Sequence, residues 1–334
     1  RENVKKKISL PVSGNKSFSF DTIEIITRTN KKKINIRNIK NLPSKIKKKV
    51  LIDINNILRA KKIPKLKFNN IPIFMGVLNI TPDSFSDGGK FNNKNSARKQ
   101  INKLIDDGAM IIDVGGESTR PGSEPISYTE EYDRVISVIE NLSKKYLVSV
   151  DTNKSKIMRD TISAGAKIIN DVSSLTNDED SVNQIRSTPC GIVLMHSKGT
   201  PKNMQDNPQY DDVILDIFDY LEERIKFCEK HGIDKSRLII DPGVGFGKKD
   251  FHLGKIMKHI SIFHSLGCPL LVGFSRKSFI ARWSNMETEK DRLGGSIASV
   301  LWSLSQGIQM FRVHDVKETL QAINIWMRIA EMES

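Results

Sequence analysis

The chain has 334 residues, of which 38% are hydrophobic, so it is long enough for one large domain or two ordinary ones. No stretch of about 18 or more apolar residues occurs, which argues against a membrane-spanning helix. The net charge of +14 is unevenly distributed, because residues 1–70 hold 20 Lys and Arg against 4 Asp and Glu and therefore carry the whole positive excess.

The first 70 residues predict a small basic appendage with short strands and a helix. The alternating segment SFSFDTIEII favours a strand, and KKINIRNI is placed to pair with it. Apolar residues then recur at helical spacing, and Ser44 is placed to cap that helix. A basic patch could contact nucleic acid, but these lysines lack interleaved aromatic residues on which bases could stack. We therefore expect a solvated lysine-rich face, with no nucleic-acid or membrane partner.

The three cysteines lie far apart and have no metal-ligand spacing; they are Cys190, Cys228 and Cys268. Widely spaced cysteines are typical of reduced thiols in a cytoplasmic protein. The basic start is not followed by an apolar stretch, which predicts no export signal. A cytoplasmic location is therefore expected.

From residue 71 onwards, short apolar runs alternate with longer helical patterns. Eight runs occur, at residues 73–78, 110–114, 147–150, 167–169, 191–195, 238–240, 269–272 and 309–313. Strands that alternate with helices indicate a parallel sheet, and eight repeats predict a (β/α)8 barrel over residues 71–334. An open doubly wound sheet is the alternative. It would require a glycine fingerprint after the first strand, where the sequence reads NITPDSF instead.

Polar residues follow nearly every predicted strand at the point where it ends. The carboxyl ends of barrel strands form one mouth, where the chemistry of such folds is located. The residues at these ends are Asn79, Asp113, Asp151, Asn170, Asp171, His196, Asp241, Arg276, Lys277, Ser278, Arg312 and His314. Some have plainer interpretations, since Asp151 and Asp171 could cap helices or turns and His196 could be a packed rim histidine. The convergence of Asp151, Asn170 and Asp241 on one mouth nevertheless favours a binding site.

Acceptor-rich side chains at this mouth suit a planar heterocycle that presents several N–H donors. Two carboxylates could also bind a metal, although metal clusters usually place their ligands closer together or include histidine. Arg312 and His314 lie at the last strand, where barrels commonly hold phosphate, and Asn79 on the neighbouring first strand is a candidate oxygen ligand for Mg²⁺. The glycine-rich DPGVGFGKK could cradle phosphate, and a tight turn beside a ligand explains it equally well.

Seven segments occur in the order found in the dihydropteroate synthase family of pterin-binding barrels. They are GVLNITPDSFSDGG, DVGGESTRPG, IINDVSS, LMHSKGTPKNMQ, DPGVGFGK, GFSRKSF and RVHDV. The resemblance covers residues 71–334. It implies a transferase that joins p-aminobenzoate to 6-hydroxymethyl-7,8-dihydropterin pyrophosphate, giving 7,8-dihydropteroate and pyrophosphate. It further implies Mg²⁺ as cofactor and a homodimer.

The resemblance also implies roles for individual residues. The pterin positions fall on Asp151, Asn170, Asp241 and Lys277. The pyrophosphate positions fall on Asn79, Arg312 and His314, with Mg²⁺ at Asn79. The p-aminobenzoate positions fall on Thr119, Arg120, Pro121, Phe246 and Ser278. The implied catalytic residues are Asp113, Lys277, Arg312 and His314, and the implied mobile loops are residues 80–92 and 115–125.

One departure from the family pattern follows the fifth strand. The family commonly has Met-Arg after the strand-end histidine, whereas Ser197 and Lys198 follow His196 here. Lysine keeps the charge but lacks the planar fork of arginine, which puts one local loop contact in doubt.

Two other functions stay open from the sequence. A pterin-binding methyltransferase shares the barrel and the acidic pocket, but it binds no pyrophosphate and has no need for the segments SRKSF and RVH. A nucleic-acid-binding protein would act through the basic first 70 residues, with an affinity that falls as salt rises.

Overall fold

The computed structural model describes residues 8–63, 72–80, 90–119, 122–285 and 290–332. Its first elements are β1 (Leu10–Val12), β2 (Asn15–Phe20), β3 (Thr22–Ile26), β4 (Lys31–Asn35), a 3₁₀ helix (Ile36–Asn41) and α1 (Ser44–Leu58). Antiparallel pairs form between β1 and β2 and between β3 and β4. The segment SFSFDTIEII is thus two strands separated at Asp21, and its second half pairs with the lysine-rich strand as expected.

The start of α1 differs from the prediction by one residue. Ser44 is the first residue of the helix, Pro43 precedes it, and no side-chain cap hydrogen bond forms there among the described residues. The assignment of Ser44 as the cap is therefore wrong. Proline fixes its own backbone angle and is compatible with a helix start, so this helix begins without a side-chain acceptor.

Eight parallel strands form the central barrel. They are β5 (Ile73–Asn79), β6 (Ile111–Gly115), β7 (Leu147–Asp151), β8 (Ile168–Asp171), β9 (Gly191–Met195), β10 (Leu238–Asp241), β11 (Leu271–Val272) and β12 (Met310–Val313). Their order in the sheet is β10-β9-β8-β7-β6-β5-β12-β11, and a parallel bridge between Ile240 and Leu270 joins the two ends. The sheet is therefore closed, which confirms the (β/α)8 barrel and excludes the open sheet.

Helices alternate with the strands around the barrel, as the sequence pattern predicts. They are α2 (Lys90–Asp106), α3 (Tyr128–Leu142), α4 (Ser155–Ser163), α5 (Ser181–Arg186), α6 (Val213–Lys230), α7 (Asp250–His259), α8 (Ser278–Ser284), α9 (Leu293–Ser305) and α10 (Val316–Met332). Short 3₁₀ helices cover Lys235–Arg237, Ile260–Leu266 and Lys290–Arg292. Among the described residues, no helix is both long enough and apolar enough to cross a membrane.

The amino-terminal half of the barrel interior is apolar, and its carboxyl-terminal half is polar. One buried cluster contains Ile73, Met75, Ile111, Ile168, Val193, Ile239, Leu271 and Met310. Side chains two positions apart on a strand face the same side of a sheet. The residues two positions beyond four members of this cluster are Asp113, Asn170, Asp241 and Arg312. The strand period therefore aims these polar side chains into the mouth above the apolar layer.

The N-terminal appendage packs against the opposite end of the barrel. Ile63, which is 3% exposed, joins the apolar cluster of the barrel interior. The Asn56 Nδ2 atom donates to the Ser265 carbonyl oxygen at 2.8 Å, and Gln309 Nε2 donates to Ser13 Oγ at 3.0 Å. These contacts cover the barrel floor. The division at residue 70 stays a prediction, because it falls between the described segments.

Replacing Ile63 by alanine tests whether the appendage stabilises the barrel. Because Ile63 is buried in the barrel interior, we expect the free energy of unfolding to fall by about 2–4 kcal/mol. The matched control is Ile46→Ala on α1, where the side chain is 44% exposed and a change within about 0.5 kcal/mol is expected. Urea unfolding measures both variants, and equal small losses would mean that Ile63 does not support the barrel.

Candidate active site

Three of the polar residues stand on one level of the barrel mouth. In the register of the sheet, Asn79 pairs with Gly115, Gly115 with Asp151, and Asp151 with Asn170. A Cβ atom added to Gly115 would lie 3.5 Å from Asp151 Cβ and 3.6 Å from Asn79 Oδ1. The glycine therefore leaves a gap between the Asn79 amide and the Asp151 carboxylate, which both border the mouth.

Arg312 is the central cation of this site. Its Nε atom donates to Asp113 Oδ2 at 2.6 Å, and its Nη2 atom donates to Asp151 Oδ2 at 2.9 Å. Asn170 Nδ2 also donates to Asp113 Oδ2, at 3.1 Å. Arg312 therefore pairs with two carboxylates, and its single guanidinium compensates two acidic groups that are almost completely buried. The Nη1 atom makes no hydrogen bond with the described residues and can still donate to a ligand.

Several acceptor oxygens around Arg312 have no protein donor. Asp113 Oδ1 and Asp151 Oδ1 are buried and have no hydrogen-bond partner in the described part of the chain. Burial raises the pKa of the Asp151 carboxyl above its usual range, while the Arg312 charge opposes this rise. Buried acceptors without donors are costly, so the arrangement suits a ligand that supplies N–H groups.

Asp241 and Lys277 form the other side of the mouth. Asp241 Oδ1 accepts a hydrogen bond from the Gly243 N–H at 2.7 Å, which leaves Oδ2 without a donor among the described residues. Burial raises the pKa of Asp241, and the Lys277 charge opposes that rise. Burial likewise lowers the pKa of Lys277 to about 8, although Asp241 favours its charged form. The Lys277 amine therefore stays largely protonated near neutral pH, and it donates to the Val244 carbonyl oxygen.

His314 stands at the end of β12, one residue beyond the strand. Its Nδ1 atom lies 3.0 Å from Ser275 Oγ, and its backbone N–H donates to the same oxygen at 3.1 Å. Arg276 is exposed and pairs with Asp315 at 2.6 Å. Ser275 therefore fixes the position of the His314 ring, two residues after Arg312. Arg276 instead pairs with Asp315, the residue that follows His314.

The donor set around Asn79 fits a metal ion only when a ligand brings further oxygens. Asn79 is half-buried, and its side-chain amide makes no hydrogen bond with the described residues. The part of the chain that the structure describes contains no cluster of three or more His, Cys, Asp or Glu side chains that could hold a metal. Mg²⁺ is commonly held by one or two protein oxygens together with substrate phosphates. Asn79 is compatible with that mode of binding.

The residues implied for p-aminobenzoate are only partly brought together. The Phe246 ring is half-buried, and its centroid lies 4.7 Å from Lys277 Nζ. Ser278 is exposed and begins α8 directly after Lys277. Thr119 is the last described residue before a gap in its loop, because Arg120 and Pro121 lie outside the described residues, as does most of loop 80–92. The structure thus links Phe246 and Ser278 to the Lys277 side of the mouth.

The plainer interpretation holds for two of the strand-end residues. Asp171 closes a turn, since its two oxygens accept from the Ser173 and Leu175 N–H groups at 2.7 Å each. His196 is a packed histidine with its ring centroid 5.0 Å from that of Tyr220. Burial lowers the pKa of His196 to about 2, so it is neutral at all physiological pH values.

The pair that departs from the family pattern contacts its own loop and the residue that follows β8. Ser197 Oγ donates to the Val172 carbonyl oxygen at 3.1 Å. Lys198 Nζ donates to the Gln209 carbonyl oxygen and lies 4.7 Å from the centroid of the Tyr210 ring. Both side chains therefore hold the loop that follows β9.

Sequence reasoning missed two lysines near the mouth, one half-buried and one buried. Lys154 donates to Glu131 Oε2 at 2.5 Å and also pairs with Glu117 of the loop that follows β6. Lys248, 2% exposed, lies beneath the loop that follows β10. Lysine in a loop ordinarily signals solvent exposure, so the pattern offered no reason to place either one inside.

Comparison with known families gives one matching model. The model described as "Pterin binding enzyme" matches residues 75–314, which is most of the barrel. The match begins inside β5 and ends just after β12, so it contains all the strand ends described above.

Individual relatives agree with this match. The "Dihydropteroate synthase" of Escherichia coli (strain K12) is 45% identical over 256 residues, which are 76% of this chain and 90% of the relative. A solved structure of Xanthomonas albilineans dihydropteroate synthase with 4-aminobenzoic acid superposes with a TM-score of 0.74 and 40% identity, covering 79% of this chain and 94% of that one. A second structure from that organism, in complex with 7,8-dihydropteroate, has a TM-score of 0.71 and 37% identity over 79% and 95% of the two chains.

Proposed function

The chain belongs to the dihydropteroate synthase family of pterin-binding enzymes, a family of transferases, and we propose that it catalyses the reaction for which that family is named. In this reaction p-aminobenzoate displaces pyrophosphate from 6-hydroxymethyl-7,8-dihydropterin pyrophosphate. The products are 7,8-dihydropteroate and pyrophosphate. The match covers 90% of the E. coli relative, so nearly all of that relative has a counterpart here.

The observation that best supports the proposal is the combination of buried acceptor oxygens that have no donor among the described residues with one half-buried arginine. Asp113 and Asp151 share Arg312, yet each keeps one oxygen without a donor in the described residues. A pterin ring presents a row of N–H and NH₂ donors along one edge. Carboxylate and amide oxygens facing such an edge accept these donors and fix the orientation of the ring.

Pterin recognition follows from the positions of four side chains. Asp151, Asn170 and Asp241 supply the acceptors for ring N–H donors. Lys277 donates to the ring carbonyl or to N5, since the Asp241 charge favours its protonated form and it remains largely protonated at neutral pH. The two sides of the mouth thus bind complementary edges of the same heterocycle.

Pyrophosphate binding is assigned to the side of the mouth formed by β5 and β12. Asn79, Arg312 and His314 lie on these two neighbouring strands or just after them. The free Nη1 atom of Arg312 donates to a phosphate oxygen, and His314 adds a further hydrogen bond. Mg²⁺ bound at Asn79 together with the phosphates would supply charge neutralisation for the leaving group.

The reaction proceeds by departure of pyrophosphate before the new bond is complete. Arg312 and His314 stabilise the negative charge that develops on the leaving oxygen. The methylene group left behind is a cation conjugated to the electron-rich pterin, and the nearby carboxylates of Asp113 and Asp151 favour it electrostatically. The aryl amine then attacks that carbon and loses a proton. An aniline nitrogen is largely unprotonated at pH 7, so it needs no strong base.

Exclusion of water is assigned to the loops over the mouth. In the described part of loop 115–125, the Gly122 N–H donates to the Pro201 carbonyl oxygen at 2.9 Å, and Glu124 pairs with Lys202 at 3.1 Å. This loop therefore contacts the loop after β9. A cover over the mouth would order p-aminobenzoate and keep water from capturing the cation.

A cytoplasmic homodimer is part of the proposal. Trp302 on α9 and Ile325 and Ile329 on α10 are each more than half exposed. Large exposed apolar side chains on neighbouring helices suit contact with a second copy of the chain. The three cysteines are buried and form no disulfide with the described residues, in keeping with a reducing compartment.

The experiment that tests the proposed function is the isolation of its product. Purified protein is mixed with the pterin pyrophosphate, p-aminobenzoate and Mg²⁺, and 7,8-dihydropteroate is quantified by chromatography. Product that accumulates over many turnovers is the expected result. Folded protein that forms none would contradict the proposal.

A further inference from the structure

Lys248 is a lysine placed entirely inside the protein. It follows the glycine-rich turn after β10, and only 2% of its surface is exposed. No carboxylate forms an ion pair with it among the described residues. Burial lowers the pKa of Lys248 well below the usual value for lysine. Enclosing an amine in this way is unfavourable, so its contacts must provide compensation.

The Lys248 amine uses its whole hydrogen-bonding capacity on two loops. The Nζ atom lies 2.8 Å from the Phe246 carbonyl oxygen, 3.1 Å from the His196 carbonyl oxygen and 3.0 Å from His196 Nδ1. As an ammonium it donates to all three atoms. As a neutral amine it donates to the two carbonyls and accepts from an Nδ1–H. In either state Lys248 joins the loop after β9 to the loop after β10.

Close backbone contact between the same loops leaves no room for adjustment. A Cβ atom on Gly243 would lie 1.9 Å from the His196 carbonyl oxygen, and one on Gly247 would lie 2.4 Å from the Lys198 carbonyl oxygen. Both glycines also have positive φ angles, of 68° and 65°. The glycines of this segment are therefore explained by a tight turn pressed against its neighbour.

Four consecutive carbonyls of the turn each accept a hydrogen bond from a different side chain. The donors are Lys277 to Val244, Gln205 to Gly245 at 2.7 Å, Lys248 to Phe246, and Tyr210 to Gly247 at 2.8 Å. Lys248 is the buried donor among them, and its bond ends on the residue whose ring faces the mouth. The turn therefore cannot rotate Phe246 without breaking these bonds.

From this geometry we infer that Lys248 is a positioning residue, which holds Phe246 where the ring of the aryl amine substrate binds beneath the Lys277 ammonium. The inference rests on the proposed function, because Phe246 is assigned there to the p-aminobenzoate pocket. Asp241 is held separately, by the strand β10 and by the Gly243 N–H. Lys248 makes no hydrogen bond to Asp241, so its loss is expected to weaken binding of the aryl amine far more than binding of the pterin.

The test compares Lys248→Met with Lys249→Met. Methionine is unbranched and one atom shorter than lysine, and it cannot donate a hydrogen bond. Lys249 is an exposed neighbour that contacts Asn207. We expect KM for p-aminobenzoate to rise about tenfold or more in Lys248→Met, since small misplacements of a binding group have large effects. The affinity for the pterin pyrophosphate, measured by calorimetry without p-aminobenzoate, is expected to stay near that of the wild type. Lys249→Met is expected to match the wild type in both measurements.

A second variant covers the case in which Lys248→Met does not fold. Gln205→Leu removes another donor to the same turn from an exposed position, and a smaller rise in the same KM is expected. A wild-type KM for p-aminobenzoate in the folded variants, or an equal loss of pterin affinity, would overturn the inference. A wild-type protein that forms no product would instead contradict the proposed function.

Discussion

Replacing Arg312 by alanine is expected to lower kcat/KM at least about a thousandfold. Enzymes lose activity on this scale when a group that stabilises developing charge is removed. Arg312 has two tasks at once. Its Nη1 atom is available to the leaving pyrophosphate, while Nε and Nη2 compensate Asp113 and Asp151. Without the guanidinium these two carboxylates face each other inside the protein with no cation between them. The variant therefore loses both the stabilisation of the leaving group's charge and the geometry of the site.

Steady-state kinetics with both substrates measure this effect. Arg312→Lys keeps the charge but cannot form the fork to two carboxylates, so it is also expected to be severely impaired. The matched control is Arg282→Ala on α8, where an exposed pair with Asp250 is removed and activity should stay near that of the wild type. Circular dichroism shows whether each variant is folded. A folded Arg312→Ala enzyme with near-normal kcat/KM would refute the role given to Arg312.

Replacing Asp241 by asparagine is expected to weaken binding of the pterin substrate by about a hundredfold or more, since each hydrogen bond to a charged group contributes about 1.5–3 kcal/mol. Asparagine can still accept from the Gly243 N–H, so the local turn is preserved. The other oxygen of the carboxylate is replaced by an NH₂ group. This group is itself a donor, so it cannot accept from the N–H donors of the ligand. The substitution also removes the negative charge that favours the protonated form of Lys277.

Calorimetric titration with the pterin pyrophosphate in the absence of p-aminobenzoate isolates this binding step. Asp241→Ala should lose affinity as well, and comparison of the two variants separates the lost acceptor from the added donor. Asp250→Asn, which alters an exposed carboxylate at the start of α7, serves as the control and should bind normally. Unchanged affinity in Asp241→Asn would remove Asp241 from the pterin site.

Most of the barrel could be predicted because its signal is periodic. Buried parallel strands are short apolar runs, and all eight runs coincide with strands of the closed sheet. The same period explains why the polar ends converge. Ile168 and Ile239 fill the interior, so Asn170 and Asp241, two residues later, must face the mouth.

The pairing within the site could not be predicted, because spacing along the chain does not fix it. The sequence placed Arg312 on the phosphate side of the mouth, yet in the structure two of its nitrogens bind Asp113 and Asp151 across the barrel. The rotation of each carboxylate side chain decides which of its oxygens accepts from Arg312 and which is left without a donor. Such choices depend on packing that no local pattern encodes.

Buried charge was the other feature hidden from the sequence. Lys248 lies in a glycine-rich loop beside Lys249, and the two are indistinguishable by pattern although one is enclosed and the other exposed. The basic appendage was likewise expected to be a solvated face. It also supplies Ile63, which packs in the same apolar cluster as Ile239 of β10. The two residues are more than a hundred positions apart in the sequence.

Pyrophosphate release is the most direct test of the proposed reaction. The protein is supplied with the pterin pyrophosphate and Mg²⁺, and phosphate is counted after hydrolysis of the released pyrophosphate. Without p-aminobenzoate we expect only slow release of pyrophosphate. When p-aminobenzoate is added, release should accelerate, and the additional pyrophosphate should match the amount of 7,8-dihydropteroate formed. Arg312→Ala should release almost none. If folded wild-type protein releases no pyrophosphate with both substrates present, the account of this site is contradicted.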